Sequence, residues 1–191
     1  MSLNEKFVFI GDSITFGYGV PKNQGWVSKL STTLKSEVIN KGVNGDTTPS
    51  MLNRFYEDVI THNPKYIFIM GGTNDLLSGR SIDSILSNIT EMINEGIEAN
   101  STIYIGIPPY IIKEMANKLF IPSPFYSYCE NSLPILRTEL INLCKKRAIK
   151  YFDFYNLTLD NLDKNIYIDG IHLNFLGNTF LLNEAIKVLS I

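Results

Sequence analysis

The sequence predicts an α/β fold, a parallel sheet with helices on both faces, from three observations. Short continuous apolar runs alternate with longer segments of helical period, the signature of strands buried on both faces and separated by helices. Five such runs are spaced widely enough to place a helix between neighbours, and right-handed crossovers then make every strand parallel. The 191 residues suit a single domain spanning 1–191, at about 150 residues per domain, with roughly 70% of the unfolded surface buried in one core.

Taken in order, the first strand is Lys6 to Ile10 (KFVFI), a four-residue apolar run behind one lysine. A helix near Trp26 to Lys35 leads to the second strand, Glu37 to Asn40 (EVIN). The next helix, Pro49 to Ile60, opens with Thr48 as its cap and Pro49 in its first turn, where a missing N–H costs nothing. The third strand is Tyr66 to Met70 (YIFIM). The helix Ser84 to Ala99 is the clearest, because Ile82, Ile85, Leu86, Ile89, Met92, Ile93 and Ile97 repeat at three and four residues and form one apolar stripe. Thr102 to Ile107 (TIYIGI) is the fourth strand. After it, Pro108 to Pro124 reads as a long irregular loop rich in proline and apolar residues, suited to a lid or pocket wall. A helix from Ser127 to Arg147, a fifth strand from Lys150 to Phe154 and a last helix from Phe175 to Leu189 complete the chain.

Composition narrows the partners. Lys and Arg total 17 against 19 Asp and Glu, with no basic run, so the electrostatic footprint of a nucleic-acid binder is missing. The most apolar stretches, Tyr66 to Met70 and Ile103 to Ile112, fall short of the ~18 residues that span a bilayer. Stable membrane insertion is therefore not expected. The opening MSLNEKFVFIGDS matches no secretory signal, which points to a soluble, cytoplasmic protein. Cys129 and Cys144 lie far apart with no C-x-x-C context and read as buried thiols rather than a cystine scaffold.

Parallel sheets of this kind place their sites at the carboxyl ends of the strands. Gly11-Asp12-Ser13-Ile14-Thr15 follows the first strand, and Asn44-Gly45-Asp46-Thr47-Thr48 lies beyond the second. Gly71-Gly72-Thr73-Asn74-Asp75 follows the third, and Asp169-Gly170-Ile171-His172 precedes the last helix. One edge thus collects a hydroxyl, a glycine amide, a carboxamide and a carboxylate with an imidazole, which are the parts for acyl transfer. A serine hydroxyl attacks only when a neutral imidazole takes its proton, and that imidazole needs a carboxylate on its other nitrogen. The developing oxyanion needs donors, each worth roughly 3–4 kcal/mol of barrier. Ser13 N–H, Gly45 N–H and the Asn74 carboxamide suit that role.

Each part also has a plainer reading. Ser13 is a turn or cap residue in that light, Gly45 a tight turn and Asn74 an Asx-turn. Asp169 and His172 are then metal ligands or a cap. Their convergence after four different strands favours the catalytic reading. Asp12 suits a cap or brace for the nucleophile turn, and Asp75 a cap for the segment that follows it. His62, at a helix end before Pro64, reads as a surface imidazole at the opposite sheet edge.

These blocks resemble the SGNH hydrolases, or GDSL lipases/esterases. GDSIT, NGDTT, GGTND and DGIHLN match that family's blocks in order, over nearly the whole chain. The namesake pattern has Leu where this sequence has Ile14. The resemblance implies a flavodoxin-like three-layer α/β/α sandwich with strand order 2-1-3-4-5. It also implies a Ser13–His172–Asp169 triad and an oxyanion hole from Ser13, Gly45 and Asn74. The activity expected is hydrolysis of a small-molecule carboxylic ester, of short to medium acyl length, with no cofactor and no metal. Sugar O-acetyl esters and thioesters are the alternative substrates. A non-catalytic flavodoxin-like phosphate or flavin binder, and a metallohydrolase using Asp12, Asp169 and His172, are the distant rivals. Tyr110, Ile112, Phe120 and Phe125 of the long loop are expected to wall the acyl pocket.

Overall fold

A computed structural model describes residues 5–34 and 36–190. Five strands form one parallel sheet in the order β2-β1-β3-β4-β5. They are β1 Lys6–Gly11, β2 Glu37–Gly42, β3 Tyr66–Met70, β4 Thr102–Ile107 and β5 Lys150–Asp153. The α/β class and the strand order agree with expectation.

Period-two alternation along each strand gives the sheet two different faces. Val8, Ile10, Ile67, Ile69, Ile103, Ile105 and Ile107 point to an aliphatic face. There they meet α3 Thr48–Asn53, α4 Phe55–Asp58, α6 Ile82–Glu98 and α8 Pro124–Arg147 through Met51, Phe55, Ile89, Met92 and Leu136. Phe7, Phe9, Phe68, Tyr104 and Phe152 point to an aromatic face covered by α2 Trp26–Thr33 and α10 Phe175–Leu189. Trp26 crosses Phe9, Phe68 and Phe154 edge-on at centroid distances of 5.6, 5.3 and 5.2 Å, a favoured geometry for aromatic pairs.

Four short helices sit at strand ends where no helix is legible from period: α1 Ser13–Phe16, α5 Thr73–Leu77, α7 Lys113–Leu119 and α9 Phe154–Leu159. One or two turns carry too few residues for a 3.6-residue repeat to show. The loop expected from Pro108 to Pro124 thus contains α7, and Phe154 opens α9 instead of closing β5, because the Asp153 side chain caps that helix by accepting from Asn156 N. The helix expected from Pro49 to Ile60 breaks at Arg54 (φ −101°, ψ 3°) into α3 and α4. Thr48 is not its cap but its first residue, with Thr47 outside it. The α2 helix ends at Thr33, and Lys35, the expected end, lies outside the described residues. Among the described residues no helix is long and apolar enough to cross a membrane.

Candidate active site

The turn that carries Ser13, the candidate nucleophile, is held from three sides. Asp12 caps α1 by accepting from Ile14 N at 2.9 Å, as the sequence suggested. Trp26 Nε1 donates to Ile14 O and Asn40 Nδ2 to Thr15 O, each at 2.9 Å. Gly42 lets this turn lie against the end of β2, since a Cβ there would run into the Phe16 backbone. Ser13 is only 5% exposed, so its hydroxyl is presented by backbone with little freedom to move. Asp12 is fully buried, and that burial pushes its carboxyl up to about 6 despite the Ile14 hydrogen bond and the nearby His172.

Asp169 and His172, the candidate acid and base, share one tight loop, closed by Ile168 N donating to His172 O at 2.9 Å and by a bridge between Tyr167 and Leu173. Asp169 Oδ1 accepts from the backbone of Ile171 (2.9 Å) and His172 (2.7 Å). Its Oδ2 faces His172 Nδ1 at 2.7 Å. Burial alone would raise the Asp169 carboxyl, but the imidazole and the two amides outweigh it and hold the group below its ordinary value. An ionised carboxylate only accepts, so Nδ1 keeps its proton and Nε2 is left to accept. Nε2 lies 3.0 Å from Ser13 Oγ. The Tyr18 ring flanks the imidazole at 4.4 Å between centroids.

Opposite lie the candidate oxyanion donors. Gly45 has φ +77°, a conformation that favours glycine, and a Cβ on it would meet nothing within 4 Å. Its residue type thus leaves an open approach to the backbone. Among the described residues the Ser13 and Gly45 amides have no acceptor. Asn74 Nδ2 spends one N–H on Asp46 O at 2.9 Å, and the carboxamide carries a second. Ser13, Gly45, Asn74, Asp169 and His172 all sit in loops or helices leaving the carboxyl ends of the strands.

The remaining expectations divide. Phe120 and Phe125, each 43% exposed, line a cavity of about 260 Å³ together with Leu77, Ser123, Tyr126 and Ile171. Tyr110 and Ile112 do not line it. The Tyr110 hydroxyl bonds Glu130 at 3.0 Å, while Ile112 packs on the aromatic-face core and its N–H donates to Gly170 O at 2.7 Å. Asp75 does not cap the segment that follows it, where Ser81 caps α6. It is fully buried and accepts from Thr48 N (2.9 Å) and Thr48 Oγ1 (2.8 Å), capping α3 from across the site. His62 ends a 3-10 turn ahead of β3, at the far edge. Among the described residues no three His, Cys, Asp or Glu side chains group to hold a metal ion.

Sequence reasoning missed Arg54, whose guanidinium donates to Asp46 Oδ2 at 2.6 and 2.9 Å. An arginine within a helical pattern carries no mark that distinguishes it from a solvated one; only the break between α3 and α4 turns it inward.

Several known proteins similar in sequence or structure are named as esterases. The chain is 30% identical over 125 residues to the arylesterase of Vibrio mimicus, covering 61% of this chain and 62% of that one. It is 36% identical over 88 residues to an acetylxylan esterase of Geobacillus stearothermophilus, covering 38% and 40%. It therefore spans less than two thirds of the length of these curated relatives. Among solved structures, a catalytic mutant of Axe2, an acetylxylan esterase from Geobacillus stearothermophilus, has a TM-score of 0.81 at 19% identity, covering 99% of this chain and 95% of that one. A member of the lipolytic protein G-D-S-L family from Veillonella parvula has a TM-score of 0.79 at 23% identity, covering 97% and 98%. Likeness at such identities shows the fold. The GDSL-like lipase/acylhydrolase family matches residues 9–180, nearly the full length, and the chain belongs to that family.

Proposed function

We propose that the protein is a serine hydrolase of carboxylic esters, with Ser13 as nucleophile, His172 as general base and acid, and Asp169 as its orienting carboxylate. The observation that carries this reading is the unbroken line from Asp169 Oδ2 through the imidazole to Ser13 Oγ, at 2.7 and 3.0 Å. Ser13 Oγ attacks the acyl carbonyl as Nε2 takes its proton, and Asp169 stabilises the imidazolium. The Ser13 and Gly45 amides with Asn74 Nδ2 receive the oxyanion. His172 then gives its proton to the leaving alkoxide, and an acyl-serine remains. Water, deprotonated by the same imidazole, attacks that ester and releases the acid.

The modest cavity lined by Phe120, Phe125 and Ile171, the residue before His172, favours a short to medium acyl group. The acetylxylan esterase among the relatives favours a second reading, removal of acetyl from a sugar. Ser13→Ala and His172→Ala are each expected to abolish hydrolysis of p-nitrophenyl acetate while circular dichroism stays that of the folded chain. Full activity in either purified variant would sink the assignment. A panel of p-nitrophenyl esters of increasing length, run beside acetylated xylose, then ranks the substrates; Phe120→Ala should shift the length optimum if the cavity takes the acyl chain.

A further inference from the structure

We propose that Arg54 is a positioning residue of the oxyanion hole, acting through Asp46 on the Gly45 turn and on the Asn74 carboxamide. The proposal rests on the serine-hydrolase reading above. Arg54 sits at the junction of α3 and α4, and its guanidinium spreads over several partners. Nε and Nη2 donate to Asp46 Oδ2 at 2.9 and 2.6 Å, and Nη1 donates to Asp58 Oδ2 at 2.7 Å. Nη2 also lies 2.9 Å from Lys41 O and 3.3 Å from Gly11 O. Those two carbonyls belong to the ends of β2 and β1, the strands that deliver Gly45 and Ser13.

Asp46 is the relay. Its side chain is 3% exposed and anchored to the guanidinium, while its carbonyl accepts the Asn74 Nδ2 proton at 2.9 Å. One residue therefore fixes the turn that carries the Gly45 amide and orients the carboxamide opposite. The planar fork of an arginine suits this, since it holds a carboxylate and backbone carbonyls in one fixed plane. Lysine, a single ammonium on a flexible stem, cannot hold the same set. Removing the guanidinium would leave the Asp46 carboxylate buried without its counter-charge. That carboxylate would then turn toward water and take the Gly45 turn and the Asn74 acceptor with it.

The test compares Arg54→Ala, Arg54→Lys, Asn74→Ala and the Arg54→Ala/Asn74→Ala double variant of the full chain, on p-nitrophenyl acetate. Active sites are counted with a fluorophosphonate, and Tm is recorded. Positioning predicts that kcat per titrated site falls about tenfold or more in both Arg54 variants, with KM within about threefold, as for a weakened transition-state contact. It also predicts non-additivity: once Asn74 is gone, losing Arg54 costs under about threefold more. A purely structural brace gives a lower Tm with kcat per site unchanged, or losses that multiply in the double variant; either result overturns the proposal. Should Arg54→Ala fail to fold, Asp46→Asn, which keeps the carbonyl, is put through the same cycle. Failure of the serine-hydrolase reading is distinct: the wild type would then take up no fluorophosphonate and Ser13→Ala would keep its activity.

Discussion

Asp12 and Asp169 are two carboxyls beside one imidazole, and their surroundings push them in opposite directions. Asp169 receives the imidazole and two amides and is held low; Asp12 receives one amide in a fully buried site and is pushed up to about 6. A folded-state value raised above the ordinary 3.8 means that the group favours folding below about pH 4 and loses that contribution as pH rises to about 6. The substitution Asp12→Asn would keep the oxygen that caps Ile14 and remove the charge. The Tm of Asp12→Asn relative to wild type should therefore climb between pH 4 and 7 and level off above. A difference that stays flat across that range in thermal unfolding would contradict the burial argument. At this scale the sequence was informative where chemistry is rare: two histidines and one glycine-aspartate-serine turn leave few ways to assemble a base and a nucleophile. It was silent on Arg54 and on the partner of Thr48, since Asp46 and Asp75 are chosen by the fold and not by spacing.

Among the elements, the least legible segment holds the most consequential one. The α7 helix sits where a proline-rich loop was expected, and the residue before it, Ile112, donates to Gly170 O between Asp169 and His172. Gly170 itself has φ +89°, and a Cβ there would lie 2.5 Å from Ile112 O and 2.9 Å from Ala116 N. The Asp169–His172 loop is thus moulded against α7. Gly170→Ala combines left-handed strain of about 1–3 kcal/mol with a backbone clash. It should lower Tm by several degrees and reduce kcat at least about tenfold, measured on the folded fraction. Normal kcat with only a lowered Tm would show that the loop tolerates being lifted off α7. Strong periodicity made α6 legible over its 17 residues, whereas α7 has seven and begins just beyond two prolines, whose fixed φ reads locally as loop.

For the whole molecule, the alternation of aliphatic and aromatic side chains along the strands decides which helices cover which face. The first strand shows this in four letters, Phe7-Val8-Phe9-Ile10, with the phenylalanines to one side and the aliphatics to the other. Cys129 and Cys144 belong to the aliphatic layer, and burial pushes both thiols up to about 12. Native protein at pH 8 should accordingly resist iodoacetamide, and both cysteines should alkylate together only when the whole core opens in denaturant. Rapid labelling of either thiol without loss of activity would show a looser layer than the packing indicates. Parallel strands with this periodicity were readable from the sequence as a class. The order 2-1-3-4-5 was not, because nothing in a strand's own composition names its neighbours; it came from family likeness.

Asp169 and His172 lie three residues apart, while 159 positions separate His172 from Ser13. A cut at the exposed turn around Asn100, between α6 and β4, would therefore divide the proposed catalytic groups cleanly. The front piece would carry the proposed nucleophile Ser13 and the proposed oxyanion donors; the back piece would carry Asp169 and His172 already docked to each other. The seam between them would be the β3–β4 ladder and the helices flanking it. On the serine-hydrolase reading proposed above, neither piece holds a complete chemistry, so a chromogenic ester would turn colour only where the two halves had met, and the chain would serve as a two-part reporter of proximity.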